Sequence, residues 1–254
     1  SWYDAERKGQ LIDTQTSYAL PLAFHVVDGD LQKKMAAHLA AAIKTPMAGY
    51  PAYSLLTGFI GTAWISKALS DNGMSEEAYR LLQYEGYPSW LYPVKNGATT
   101  IWERLNSYTV KDGFGENNSM NSFNHYSFGA VASWMYNYSL GICRDEKSPG
   151  FKHFILKPEV DPTRGITHAE GYYDSMYGRI SSRWQYTDSG IRYEFTVPAN
   201  TTASLYLPAP AVSFISENGK PLKKASGVRY VSADKELHHL ELASGSYQFD
   251  IKQK

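Results

Sequence analysis

A change in the spacing of apolar residues, near the Lys-Ser-Pro-Gly stretch at residues 147–150, constrains the fold more than any other feature of the sequence. Before this stretch, apolar residues recur every three or four positions, as in residues 31–43, which is typical of amphipathic helices. After it, short runs of Val, Ile, Tyr, Phe and Thr alternate with turn residues, which is typical of strands. We therefore predict a helical domain over residues 1–146 and an antiparallel β-sandwich over residues 147–254.

The pattern also predicts the individual elements. Helices are expected at residues 11–27, 31–43, 55–69, 76–84 and 126–140, the last of which can end at Gly141. Strands are expected at residues 151–160, 178–187, 191–199, 202–210, 228–234 and 246–252. Two long aromatic loops lie at residues 84–99 and 106–124, whereas others are as short as residues 28–30. Because loops alternate between two ends in an array of antiparallel helices, we expect the long loops to gather at one end and to build a site there.

Composition excludes several classes of partner. Lys plus Arg and Asp plus Glu both number 25, so the formal net charge is zero, and no block of like charge is present that could hold a nucleic acid or an anionic membrane. No stretch approaches the roughly 20 apolar residues of a membrane span. Residues 1–10 are too polar for the core of a secretory signal, and the compartment stays open.

Metal and disulfide chemistry is not expected. The chain has one cysteine, Cys143, which lies in an apolar run and is predicted to be a small buried hydrophobe. The seven His are scattered, and strand alternation would send His238 and His239 to opposite faces. A Gly-rich phosphate loop, an H-E-x-x-H motif and a G-x-S-x-G nucleophile motif are also missing.

Glu103, in the stretch GATTIWERLNSY at residues 97–108, is the first candidate for chemistry. It follows a turn-like Asn-Gly and is flanked by Trp102, which places a carboxylate near an expected junction of loop and helix, where functional residues often lie. The alternative is an ordinary glutamate in the first turn of a helix, which complements the helix dipole or pairs with Arg104.

Polar and aromatic residues near Glu103 could bind a sugar. Residues 121–126 (Asn-Ser-Phe-Asn-His-Tyr) place His125 before an expected helix, where it could bond a hydroxyl or have a structural role. Trp90 and Tyr92 could stack on a sugar or could pack their loop onto the helices. The 20 tyrosines and 6 tryptophans fit either use.

Three long blocks of the sequence, residues 54–108, 121–142 and 155–184, contain GYPSWLYPVKNGATTIWERLNSY, NSFNHYSFGAVASWMYNYSLGI and AEGYYDSMYGRISSRW. In order and spacing they resemble the bacterial α-L-rhamnosidases of glycoside hydrolase family 78, from about Thr14 to Trp184. That family has an (α/α)6 barrel followed by a small C-terminal β-sandwich. The resemblance therefore implies that the helical domain is the second half of such a barrel.

The resemblance also implies a mechanism. The family removes terminal α-L-rhamnose with inversion, using a general acid and a general base, and needs no metal or redox cofactor. Glu103 matches the general base, His125 a sugar-contacting His, and Trp90 and Trp102 lie in the loops beside the base. The general acid belongs to a family block near D-x-P-x-R-x-E, which this sequence lacks. Leu105 stands where the family often has a second aromatic residue.

We therefore predict part of an exo-acting, inverting α-L-rhamnosidase, whose partners are a rhamnose-containing oligosaccharide or glycoside and the remainder of the same polypeptide. Residues 1–254 alone are expected to be inactive and prone to associate through the apolar surface of a half barrel. Two alternatives stay open. The chain could be a carbohydrate-binding or structural module in which Glu103 only holds a hydroxyl, or a related (α/α)6 glycosidase with another sugar specificity.

Overall fold

A computed structural model of the chain describes residues 2–3, 11–115 and 119–252. The chain divides into two compact units, Ser1–Trp134 and Met135–Lys254. The first unit is helical and the second consists mainly of strands, as the change in apolar spacing predicts. The domain limits at residues 146 and 147 stay a prediction.

Helices form most of the regular structure of the first unit. They are α1 (Gln15–Ala23), α2 (Gly29–Lys44), α3 (Gly58–Thr62), α4 (Ile65–Asp71), α5 (Ser75–Gln83), α6 (Leu91–Lys95) and α7 (Val131–Trp134), and a short antiparallel pair of strands, β1 (Trp2–Tyr3) and β2 (Leu11–Ile12), precedes them. Helix α1 packs against α2 and α4. Its first turn is closed by a capping box, in which Thr14 Oγ1 accepts from the Ser17 N–H and Ser17 Oγ accepts from the Thr14 N–H.

The helices differ from the sequence prediction in length and continuity. The helix expected at residues 55–69 is two helices, because Gly58 adopts φ +60° and the chain breaks again at Ala63 and Trp64. Gly61 lets α3 approach α1, since a Cβ there would lie 2.3 Å from Thr16 Oγ1. The expected loop at residues 84–99 contains α6, and the helix expected at residues 126–140 is a 3-10 turn (Ser127–Ala130), α7 and a π turn (Met135–Ser139).

Two sheets form a β-sandwich in the second unit. The six-stranded sheet has the order β10 (Lys220–Pro221), β9 (Ile215–Glu217), β13 (Gly245–Lys252), β7 (Gly190–Val197), β6 (Gly178–Thr187) and β5 (His168–Ser175). The five-stranded sheet has the order β11 (Val228–Asp234), β12 (Leu237–Leu242), β8 (Thr202–Pro208), β4 (His153–Leu156) and β3 (Ile142–Arg144). All pairings are antiparallel except that between β4 and β8. The core contains fully buried aromatic side chains, namely Trp184, Tyr193, Phe154, Phe195 and Phe249.

Gly141 ends the helical segment, as the sequence predicts. Its φ is +68°, and a Cβ at this position would lie 2.1 Å from the Pro158 nitrogen, so only glycine fits. The carbonyls just before it are held by the sandwich. Trp184 Nε1 donates to the Ser139 carbonyl at 2.8 Å, and Ser182 Oγ donates to the Leu140 carbonyl at 2.5 Å.

Two smaller predictions have different outcomes. His238 is buried and His239 is partly exposed, which confirms that alternation sends the two rings to opposite faces of β12. The burial predicted for Cys143 is wrong, because β3 is an edge strand and the side chain lies partly exposed, with Sγ 2.9 Å from the Asn137 carbonyl oxygen.

None of the described helices is long and apolar enough to cross a bilayer.

Candidate active site

Glu103 lies in an irregular segment that is paired with a second irregular segment about 20 residues later in the chain. Residues 100–103 run beside residues 122–125. The Glu103 N–H donates to the Ser122 carbonyl at 2.8 Å, and the His125 N–H donates to the Ile101 carbonyl at 2.8 Å. Thr100 Oγ1 also donates to the Phe123 carbonyl. These bonds fix two loop segments that contain no regular secondary structure.

The Glu103 carboxylate is anchored through one of its two oxygens. The Ser122 N–H donates to Glu103 Oε2 at 2.9 Å. Among the residues that the structure describes, Glu103 Oε1 has no hydrogen-bond partner, and the side chain is partly exposed. A carboxylate that is held at one oxygen and open at the other can accept a proton from a bound water or hold a sugar hydroxyl.

The alternative of a glutamate in the first turn of a helix is wrong. Between the end of α6 at Lys95 and the 3-10 turn that begins at Ser127, the described residues contain no helix. Arg104 Nη2 donates to Asn121 Oδ1 at 3.2 Å. Burial raises the pKa of the Tyr87 phenol, and the positive charge of Arg104 offsets part of that rise.

The His125 ring has a defined orientation, and its Nδ1 is engaged by the backbone. The Ser127 N–H donates to His125 Nδ1 at 3.3 Å, so in the neutral ring Nε2 carries the proton. The ring lies between those of Phe59 and Tyr126, with centroid distances of 4.8 and 5.2 Å. Within the described part of the chain, Nε2 has no hydrogen-bond partner, so its N–H can donate to a ligand. The bond from Ser127 also gives His125 a structural role at the start of the 3-10 turn.

Trp90 and Trp102 lie beside these loops but are almost completely buried. Trp90 is 8% exposed and its Nε1 donates to the Phe128 carbonyl at 2.9 Å. Trp102 is 6% exposed and packs edge-on against Phe123, at a centroid distance of 5.1 Å. Both indoles stabilise the loops that position the carboxylate and the imidazole. Their contact with a sugar stays a prediction.

The paired segments bring the predicted residues together. Glu103 and His125 belong to opposite segments of the pair, and Trp102 is adjacent to Glu103. Sequence reasoning assigned Phe59 to a helix face and did not connect it to His125, because they are 66 positions apart (125 − 59) and no local pattern links them. The described residues contain no group of three or more His, Cys, Asp or Glu side chains that could hold a metal ion.

A helical unit followed by a two-sheet β-sandwich agrees with the class of six-hairpin glycosidases, to which two sequence models assign this chain. The sequence model described as the bacterial alpha-L-rhamnosidase 6 hairpin glycosidase domain matches residues 2–139, and that described as the bacterial alpha-L-rhamnosidase C-terminal domain matches residues 141–221. The chain therefore belongs to the bacterial α-L-rhamnosidase family.

Known relatives cover the whole described fold. An α-L-rhamnosidase of Streptomyces avermitilis is 35% identical over 98% of this chain and 22% of its own length. One from an Alteromonas species is 34% identical over 94% of this chain and 24% of its own length. This chain thus spans about a quarter of the length of these relatives.

Solved structures agree with the family assignment. The crystal structure of the Streptomyces avermitilis α-L-rhamnosidase complexed with L-rhamnose matches 99% of this chain and 23% of that chain, with a TM-score of 0.83 and 33% identity. The structure of α-L-rhamnosidase from Dictyoglumus thermophilum matches 94% of this chain and 25% of that chain, with a TM-score of 0.78 and 27% identity. The predicted fold class, the second half of an (α/α)6 helical barrel followed by an antiparallel β-sandwich, is confirmed.

Proposed function

We propose that this chain supplies the general base of an exo-acting, inverting α-L-rhamnosidase. The observation that carries the proposal is the Glu103 carboxylate, which accepts a hydrogen bond from the Ser122 N–H at Oε2 and keeps Oε1 open among the described residues. Support comes from relatives named α-L-rhamnosidases, one of which is 35% identical over 98% of the chain.

The proposed reaction assigns one role to Glu103 and the opposite role to a group outside these 254 residues. Glu103 Oε1 takes a proton from a water whose oxygen bonds to the anomeric carbon. The bond from that carbon to the glycosidic oxygen breaks, and a carboxylic acid on the other face of the sugar protonates the leaving oxygen. In inverting enzymes the two carboxyl groups stand roughly 6.5–9.5 Å apart, which leaves room for the water.

His125 and the two indoles would position the sugar. The His125 Nε2–H can donate to a rhamnose hydroxyl, because the hydrogen bond at Nδ1 and the stacking with Phe59 hold the ring in one orientation. Trp90 and Trp102 would contact the sugar only through a ring edge, since each is less than one-tenth exposed.

The proposal is tested by assaying rhamnose release from a chromogenic α-L-rhamnoside, beside a panel of other glycosides. Two forms are compared, residues 1–254 and a longer form that spans the length of the relatives. We expect release by the longer form alone, because the general acid is supplied from outside residues 1–254. Turnover by residues 1–254 would overturn the proposed location of the acid. Activity of the longer form on another sugar in place of rhamnoside would favour the alternative sugar specificity.

A further inference from the structure

A polar cleft of about 320 Å³ lies on the face of the six-stranded sheet that points away from the sandwich core. Strand alternation places its side chains there, because Ile180, Ser182 and Trp184 of β6 point inward. The outward positions on four strands provide polar groups of several kinds, namely Glu170, Ser181, Arg183, Glu194, Thr196 and Gln248. All of these residues lie within the second unit.

Arg183 lines this cleft. Its Nε lies 3.5 Å from Glu194 Oε2 and 3.8 Å from Glu170 Oε2, and its Nη2 donates to Gln185 Oε1 at 2.8 Å. The Nη1 donors have no partner among the residues that the structure describes. The hydrogen bond to Gln185 orients the guanidinium, and the two carboxylates lie at ion-pair distance from Nε without a hydrogen bond to it. The Nη1 donors therefore remain available to a ligand.

Two hydroxyl groups of the cleft are unused by the described protein, whereas Ser182 Oγ and the Tyr247 hydroxyl, which also line it, donate to backbone carbonyls. Within the described residues, Ser181 Oγ and Thr196 Oγ1 make no hydrogen bond, and each side chain is only partly exposed. Donors and acceptors of this kind, gathered in a concave surface, can bind a ligand that carries several hydroxyls. The two carboxylates outnumber the guanidinium, which disfavours an anion.

An exposed aromatic ring stands next to the cleft. Tyr172 lies directly opposite Ser181 in the pairing of β5 with β6, and its side chain is 50% exposed. The Arg179 guanidinium lies 3.7 Å from the centroid of this ring and is itself held by two bonds to Asp174, of 2.8 and 3.1 Å. An exposed ring that carries a guanidinium over one face can pack its other face against the C–H face of a sugar.

We propose that this cleft binds one neutral pyranose residue, between the Arg183 guanidinium with its two carboxylates and the Tyr172 ring. The volume is at the small end of ligand sites, which span about 300–1,000 Å³, and so suits a single sugar ring. The hydroxyl-rich, net-acidic lining favours a neutral polyol. This site does not depend on the role of Glu103, which belongs to the other unit.

Titration of residues 1–254 with L-rhamnose, D-galactose, D-glucose and D-glucuronate, followed by amide NMR, tests the site. We expect at least one neutral sugar to bind saturably and to shift the amides of Ser181, Thr196 and Gln248. Arg183→Met should weaken that binding about tenfold or more, because a charged hydrogen bond is lost. The matched control is Arg192→Met, on β7 of the same sheet, whose guanidinium pairs with Asp250 at 2.8 Å outside the cleft.

Three outcomes would overturn the proposal: no neutral sugar binds saturably, Arg183→Met binds as tightly as the parent chain, or only glucuronate binds. Tyr172→Ala provides a second variant if Arg183→Met does not fold, and it too should weaken binding. Glu103→Gln should leave the affinity of the cleft unchanged. A failure of the proposed catalytic role therefore leaves this result intact, and the two proposals can fail separately.

Discussion

Burial of the single residue Tyr18 changes how the stability of the fold depends on pH. Its ring is buried against α2, stacked on His38 at a centroid distance of 5.7 Å, and its hydroxyl donates to Asp13 Oδ1 at 2.8 Å. Burial, followed by the hydrogen bond and negative charge of Asp13, raises the pKa of Tyr18 to about 12. The fold thus favours the neutral phenol over the phenolate.

This shift predicts a loss of stability at high pH. In the unfolded chain the phenol ionises near pH 10, so the stabilisation is complete below about pH 10 and is lost as the pH rises toward 12. The free energy of unfolding should fall by at most about 1.4 kcal/mol per pH unit from this group. In urea unfolding, the free energy of unfolding of Tyr18→Phe should depend less steeply on pH over this range than that of the parent chain. Tyr126→Phe, which removes an exposed phenol, is the control, and equal slopes for Tyr18→Phe and the parent would contradict the account.

Two irregular segments around Glu103 are held together by hydrogen bonds between them. Residues 100–103 and 122–125 satisfy each other's backbone groups, while Trp102 and Phe123 pack on each other. The pairing places a carboxylate and an imidazole on neighbouring segments without regular secondary structure. Site residues on such loops depend on contacts between distant parts of the sequence.

Gly141 gives a prediction for the segment that enters the sandwich. Gly141→Ala should lower the free energy of unfolding by more than the 1–3 kcal/mol that a strained backbone costs, because its Cβ would also clash with the backbone at Pro158, 2.1 Å away. Gly150→Ala is the matched control, since that glycine has φ +92° and open space around its Cβ position. Chemical unfolding of both variants measures the difference. Equal losses of unfolding free energy in the two variants would show that the close approach to Pro158 does not destabilise Gly141→Ala.

The sequence predicted the elements that have a local pattern of apolar residues, and it did not predict those that lack one. Strands β6 and β7 alternate buried and exposed side chains, and the sequence predicted them. Strand β5 was missed because its residues are mostly exposed and include Glu170, Gly171 and Asp174, which gives no apolar alternation. Glu103 and His125 were predicted as candidates, yet the bond from Ser122 that orients the carboxylate follows only from the fold.

The helical unit exposes several large apolar side chains. Phe24, Val26, Ile60, Val110 and Tyr126 are all more than half exposed. Leu20, Pro21, Phe24 and Val26 also line an apolar groove of about 400 Å³ on and beside α1. Contiguous apolar surface of this kind promotes association.

We therefore expect residues 1–254 to associate in a concentration-dependent manner. Light scattering during size-exclusion chromatography should give a mass above that of the monomer, rising with protein concentration. Phe24→Glu should reduce the association, because it places a charge in the groove, whereas Met176→Glu, at an exposed position in the sandwich, should not. A monomer at every concentration would contradict this expectation.

The proposed role of Glu103 as the general base is tested by the steady-state kinetics of Glu103→Gln in the longer form on a chromogenic α-L-rhamnoside. Glutamine can still accept the Ser122 N–H but cannot take a proton from water, so kcat should fall by about 10²–10⁴-fold while KM changes little. Glu85→Gln, which removes an exposed carboxylate paired with Lys95 at 2.7 Å, should leave both constants unchanged. A Glu103→Gln enzyme that keeps its kcat and only raises KM would contradict the account and would assign Glu103 to sugar binding.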